Sequence, residues 1–95
     1  LIPDQSIVYG INRKGEDHIV SAGSTDNSFA LVYLAKGQSV QVVMRKIDGR
    51  IVASWFNPRN GYKKKIGNFR NEGIEDFTPP SSGEGNDWML VLEKI

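Results

Sequence analysis

The groups able to do chemistry in this chain are few. His18 is the only histidine, and it closes the charged stretch "KGEDH" just ahead of an apolar run. A nucleophilic triad needs such an imidazole as general base beside a serine held on a structured turn. No G-x-S-x-G elbow is present, so His18 reads as an exposed or half-buried polar residue. The carboxylates Glu16, Asp17, Glu72, Glu75, Asp76, Glu84 and Asp87 could serve glycoside hydrolysis, which needs a pair about 5–9.5 Å apart across a cleft. All fall in or beside turn-like stretches, and a chain this short has little depth for a cleft. The clusters "GED" and "GEGND" offer loop oxygens for Ca²⁺ but lack the D-x-D-x-D-G order, which favours solvated turns. With no cysteine, thiolate metal sites and disulfides are excluded. The expectation is therefore no catalytic residue, no metal and no cofactor.

Two further stretches bear on binding. Lys63-Lys64-Lys65, with Tyr62, Phe69 and Arg70 nearby, mixes cations with aromatics as single-strand nucleic-acid binders do. The run is short and the net charge is only +1, with a pI near 8.2, so a lysine-decorated edge strand explains it better. No nucleic-acid partner is expected. "WFNPRNG" (55–61) packs two aromatics, an arginine and turn chemistry together. Adjacent strand residues face opposite sides, so Ile51, Ala53 and Trp55 share the more apolar face and point inward. Phe56 then lies on the second face and needs cover from the opening segment, the tail or a neighbouring domain. Pro58 pre-sets φ, Asn60 or Gly61 can take positive φ, and Arg59 is placed to pair with a carboxylate, Asp87 being the candidate.

The elements that must position these residues are short β-type runs separated by turns. "HIVSAGS", "FALVYLA" (29–35), "VQVVM" (40–44), "RIVASWF", "KKKIGNF", "IEDFT" and "WMLVLEKI" (88–95) read as strands. "FALVYLA" suits a central strand covered on both faces, and "WMLVLEKI", with Trp88 in the core, a closing strand inside a sheet. Asp48-Gly49 predicts a hairpin between "MRKI" and "RIVASWF". Pro79-Pro80 ends the strand before it. "LIPDQSIVYG" lies on the body and adds an edge strand, and no helix longer than one turn is expected. The pattern is all-β: a two-sheet antiparallel β-sandwich of about seven or eight strands, with residues 1–95 as a single domain. Charged residues at 24% and apolar residues at 39% are ordinary for a globular domain, and no apolar run could insert into a membrane as a spanning segment. A start at Leu1, without initiator Met or signal pattern, reads as a piece of a longer protein.

"LIPDQS", "FALVYLAKGQSVQV", "VASWFNPRNG" and "FTPPSSGEGNDWMLVLEKI" follow one order and spacing. Together they resemble the C-terminal β-sandwich domain of bacterial apiosidase-like glycoside hydrolases, a family labelled "putative collagen-binding domain of a collagenase". The resemblance covers essentially the whole chain and rests on the paired W-F-[DN]-P-R-x-G and F-x-P-P…D-W-x-L-V-L elements. In the family's turn an aspartate usually stands at Asn57 and a threonine at Asn60; both replacements preserve the turn. The resemblance implies an extracytoplasmic setting (periplasmic, cell-surface or secreted) and a catalytic TIM-barrel domain in the same protein as partner. It supplies no catalytic residue to this chain. The expected function is a non-catalytic accessory domain of a polysaccharide-degrading enzyme, packing on its barrel through Phe56, Tyr9 and Ile2. The alternative is a carbohydrate- or collagen-binding module, with polysaccharide as partner and Tyr62, Asn57, Arg59 and Asn60 as ligand-binding residues; Trp88 is a weaker candidate, assigned to the core.

Overall fold

A computed structural model describes residues 2–3, 7–9, 19–37, 39–83 and 85–95. The strands are β1 (Ile2–Pro3), β2 (Ile19–Gly23), β3 (Phe29–Leu34), β4 (Val40–Val43), β5 (Ile51–Asn57), β6 (Tyr62–Phe69), β7 (Ile74–Phe77) and β8 (Trp88–Lys94). A six-stranded sheet runs β1-β2-β3-β8-β5-β6, and β4 with β7 forms a two-stranded sheet. Every neighbouring pair is antiparallel. The expected sandwich is thus present, with unequal sheets. An isolated bridge from Val8 to Val42 ties the opening segment to the small sheet.

The core follows from period-two alternation. In β3 the residues Ala30, Val32 and Leu34 are fully buried, while Phe29, Leu31 and Tyr33 are half-buried. β8 repeats the pattern, with Trp88, Leu90 and Leu92 inward and Met89, Val91 and Glu93 outward. In β5, Ile51, Ala53 and Trp55 are buried on one face as their parity requires, and Phe56 and Val52 lie half-buried on the other. Val40, Val42 and Phe77 close the core from the small sheet. Burial of each large apolar side chain contributes about 1.5–3 kcal/mol, so this interior is the main stabiliser. Trp55 and Trp88 meet edge to face, their centroids 6.3 Å apart, and Phe69 meets Phe77 likewise at 5.3 Å.

One local expectation is corrected. The chain bends at Asp48-Gly49, with Gly49 at φ +69°, but the bend does not join a hairpin. β4 pairs with β7 and β5 with β6 and β8, so the segment between them crosses from one sheet to the other. The physical cause is the spacing of "MRKI": Met44 and Ile47, three residues apart, are both buried. A single 3-10 turn, Met44–Lys46, puts them on one side, whereas a strand would have sent them to opposite faces. The amide of Asp48 then donates to the carbonyl of Asn27, 2.9 Å away.

Candidate functional site

The corner after β5 is built by its own side chains. Asn57 is buried, and its Oδ1 accepts the Arg59 amide at 2.9 Å. Its carbonyl accepts the amides of Asn60 (3.3 Å) and Gly61 (2.8 Å). Gly61 takes the positive φ, +78°, and Asn60 Oδ1 accepts the Tyr62 amide at 2.9 Å as β6 begins. Side-chain oxygens that mimic a backbone turn are the reason Asn suits both positions. An aspartate at position 57 could accept the same bond, so the uncharged residue keeps the turn.

Arg59 closes the corner onto the far end of the chain. Its Nε lies 3.1 Å from Asp87 Oδ1, its Nη2 donates to the Asp87 carbonyl at 3.3 Å, and its Cζ sits 5.4 Å from the centroid of the Trp88 ring. The expected Arg59–Asp87 pair is therefore present. Asp87 Oδ2 also accepts the Tyr33 hydroxyl at 2.9 Å. That bond, with some desolvation and the nearby negative charge, holds the Tyr33 phenol above its ordinary pKa. Trp88 Nε1 donates to Ser81 Oγ (3.0 Å), which donates to Asn86 Oδ1 (3.0 Å). No buried side-chain polar atom lacks a partner among the described residues.

Of the four residues proposed to touch a ligand, the corner thus gathers Asn57, Arg59 and Asn60 into internal bonds. Tyr62 stands apart, 58% exposed at the start of β6. β6 is the sheet edge, as the lysine run implied. Lys63 pairs with Glu93 at 3.0 Å, reaching across β5 and over Ser54, which is buried although it lies on the outer face. Lys64 and Lys65 are exposed and carry no ion pair among the described residues. With Trp55, Ile66, Thr78 and Pro80 they line a shallow groove of about 330 Å³ between β6 and the segment after β7. A bulge in the β5–β6 register, with Ala53 opposite Gly67 and Ser54 opposite Lys65, leaves Ile66 unpaired at this groove.

Among the described residues the candidate carboxylates fall just before β8, in the bend before β7 and on β7. Asp87 is held by Arg59 and Tyr33, and Glu72 lies 3.8 Å from Arg70 at the surface. Glu75 is half-buried and Asp76 exposed on β7. No cluster of three or more metal-capable side chains occurs among the described residues. His18, Glu16, Asp17 and Glu84 lie outside the described residues. Among the described residues no helix is long and apolar enough to cross a membrane.

The three residues expected at an interdomain contact occupy different places. Ile2 lies on the β1 edge opposite Gly23. Tyr9 is exposed beside the small sheet, its amide donating to the Gln41 carbonyl at 2.8 Å. Phe56 sits on the outer face one strand in from the β6 edge, away from Ile2 and from the tail, where the Ile95 amide bonds the Arg50 carbonyl at the opposite end of β5. What Phe56 does join is a row across four strands: Val20 opposite Tyr33, Tyr33 opposite Met89, and Met89 opposite Phe56. A second row sets Ala22 beside Leu31 and Leu31 beside Val91. Sequence reasoning singled out Phe56 alone; the signal for the rest was apolar residues at both parities of "FALVYL" and "WMLVL", where a solvated outer face would alternate with polar ones.

The sequence profile of the family described as "Putative collagen-binding domain of a collagenase" matches residues 2–93. Among solved structures, a glycoside hydrolase aligns with a TM-score of 0.85 at 29% identity, over 97% of this chain and 20% of that one. A glycoside hydrolase family 5 protein from Bacteroides vulgatus ATCC 8482 aligns with a TM-score of 0.86, again at 29% identity, over 97% of this chain and 20% of its own. The chain therefore spans about one fifth of the length of these structures. No curated protein matches it.

Proposed function

The chain belongs to the family described as "Putative collagen-binding domain of a collagenase", and from that premise we propose that it is a single, non-catalytic accessory domain of a bacterial, extracytoplasmic polysaccharide-degrading enzyme, seated on the catalytic TIM barrel of the same polypeptide. Its alignment with one fifth of each of two glycoside hydrolase chains supports this. The observation that carries it is the apolar outer face of the large sheet, where Val20, Leu31, Tyr33, Phe56, Met89 and Val91 adjoin one another. A contiguous apolar patch of this kind marks a partner surface. Phe56 is then covered by the neighbouring domain, while Ile2 and Tyr9 border other surfaces.

Oxidative footprinting tests the seat directly, because the chain has two methionines in opposite settings. Met44 is fully buried and serves as internal control, whereas Met89 is half-buried on the outer face. Met89 should oxidise readily in the 95-residue chain and be protected in the full-length enzyme, with Met44 slow in both. Equal Met89 oxidation in the two would reject the seat. A second reading, a carbohydrate- or collagen-binding module, is favoured by one observation, the exposed ring of Tyr62 beside unpaired lysines.

A further inference from the structure

We propose that the groove between β6 and the Thr78–Pro80 segment binds an anionic polysaccharide, with Tyr62 stacking on a sugar face and Lys64 and Lys65 meeting its carboxylates. This rests on the binding-module reading and is independent of the seat on the catalytic domain, which uses the opposite face of the sheet.

The argument starts from register. Tyr62 pairs with Asn57 and Lys64 with Trp55, so Tyr62 and Lys64 project to the inner side of the large sheet. The small sheet contains only β4 and β7, and the chain leaves β7 at Phe77. The inner side of β6 is consequently open from Tyr62 to Ile66, all exposed, above a floor provided by Trp55. Residues i and i+2 of a strand are about 7 Å apart. A pyranose ring lying on Tyr62 therefore brings the next sugar's substituents toward Lys64. No carboxylate among the described residues lines the groove, so Lys64 faces it uncompensated from the inner side, while Lys65, opposite the outer-face Ser54, borders it at the bulge. Thr78 adds a hydroxyl and Pro80 an apolar rim, the mixture of apolar surface and few polar groups that sugar sites use. Single-stranded nucleic acid fits less well: successive bases need several exposed rings, and here Tyr62 is exposed while the Trp55 ring is 5% exposed.

Calorimetric titration of the 95-residue chain with hexagalacturonate, with its fully methyl-esterified form and with oligo(dT) separates the cases. Saturable binding is expected with hexagalacturonate and no heat with the ester. Binding should be lost in Tyr62→Ala and in the Lys64→Gln/Lys65→Gln pair. It should persist in Arg45→Gln/Lys46→Gln, which removes the same charge at the 3-10 turn, and denaturant melts should confirm that each variant folds. Equal binding of the ester would overturn the acidic preference while leaving a neutral binding module standing. Equal loss in both charge-deleted pairs would reduce the effect to bulk charge and reject the groove. No binding, or tighter binding of oligo(dT) than of hexagalacturonate, would reject the proposal. None of these outcomes moves the Met89 result.

Discussion

Arg59 and Asp87 are 28 positions apart, yet one guanidinium meets a carboxylate, a carbonyl and an indole at that junction. The ion pair is partly exposed, which limits it to about 0.2–1 kcal/mol, and the cation–π contact adds about 0.5–1 kcal/mol. Arg59→Ala should therefore lower unfolding free energy by about 1–2 kcal/mol in urea melts; no change would mean the contact is ornamental. Asp87→Asn tests the other arm. It replaces the carboxylate whose hydrogen bond, ahead of its charge, raises the Tyr33 pKa with a weaker neutral acceptor, so the phenol should ionise nearer its ordinary range in a 295 nm titration referenced to Tyr33→Phe. The sign follows from linkage: a pKa raised by folding stabilises fully below the unfolded value and loses that contribution as pH rises through the folded one. The wild-type chain should thus lose stability in alkaline solution more steeply than Asp87→Asn. These contacts give Arg59 and Asp87 a structural duty at the corner, while the Tyr62 side chain beside them is exposed.

Among the elements, the loop after β3 is the one whose backbone leaves least room. Gly37 has φ +62°, its amide donates to the Leu34 carbonyl, and the Gly83 amide donates to Lys36. A Cβ at Gly37 would collide with the carbonyls of Ser81 and Asn86, in the loop whose Ser81 Oγ receives the Trp88 indole N–H. Gly73 has a similar φ, +72°, but open space around the missing Cβ. Gly73→Ala should cost about 1–2 kcal/mol from backbone strain alone. Gly37→Ala should cost clearly more, because backbone atoms cannot swing aside. Similar midpoints for the two variants would show that the loops separate cheaply. The bulge at Ile66 also acts at this scale, since it shapes the groove from a strand that would otherwise lie flat.

Across the whole molecule, the unequal sheets set the functional geometry. Two strands cover the inner side of six, leaving the β6 edge open, and no described strand packs on the outer face. Phe56→Asp places a charge on that outer face. In the 95-residue chain it should change stability by less than about 1 kcal/mol, because the side chain is already half in water. In the proposed full-length enzyme it should lower the melting temperature of this domain by several degrees, as a 1 kcal/mol loss shifts a domain of this size by roughly 4–8 °C. An identical small effect in both contexts would count against the seat.

Strand identity was legible because apolar runs and turn residues are local: "FALVYL" and "WMLVLEK" read as strands without any partner in view, while apolar residues at both parities left the choice of Val32, Leu34, Leu90 and Leu92 as the inward set to the packing. The same locality revealed the corner at 57–61, the inward Trp55 and the edge lysines. Partner choice is not local. Asp48-Gly49 has hairpin chemistry, but burial of Met44 and Ile47 outweighs it and sends the flanking strands to different sheets. Nor could the sequence place Tyr33 and Met89 in one row with Phe56, since the three residues lie on three strands brought together only by register. The strands were determined by the chain's own periodicity; which surfaces they leave open was decided by the packing of distant segments, where burial of apolar area overrides short-range preference.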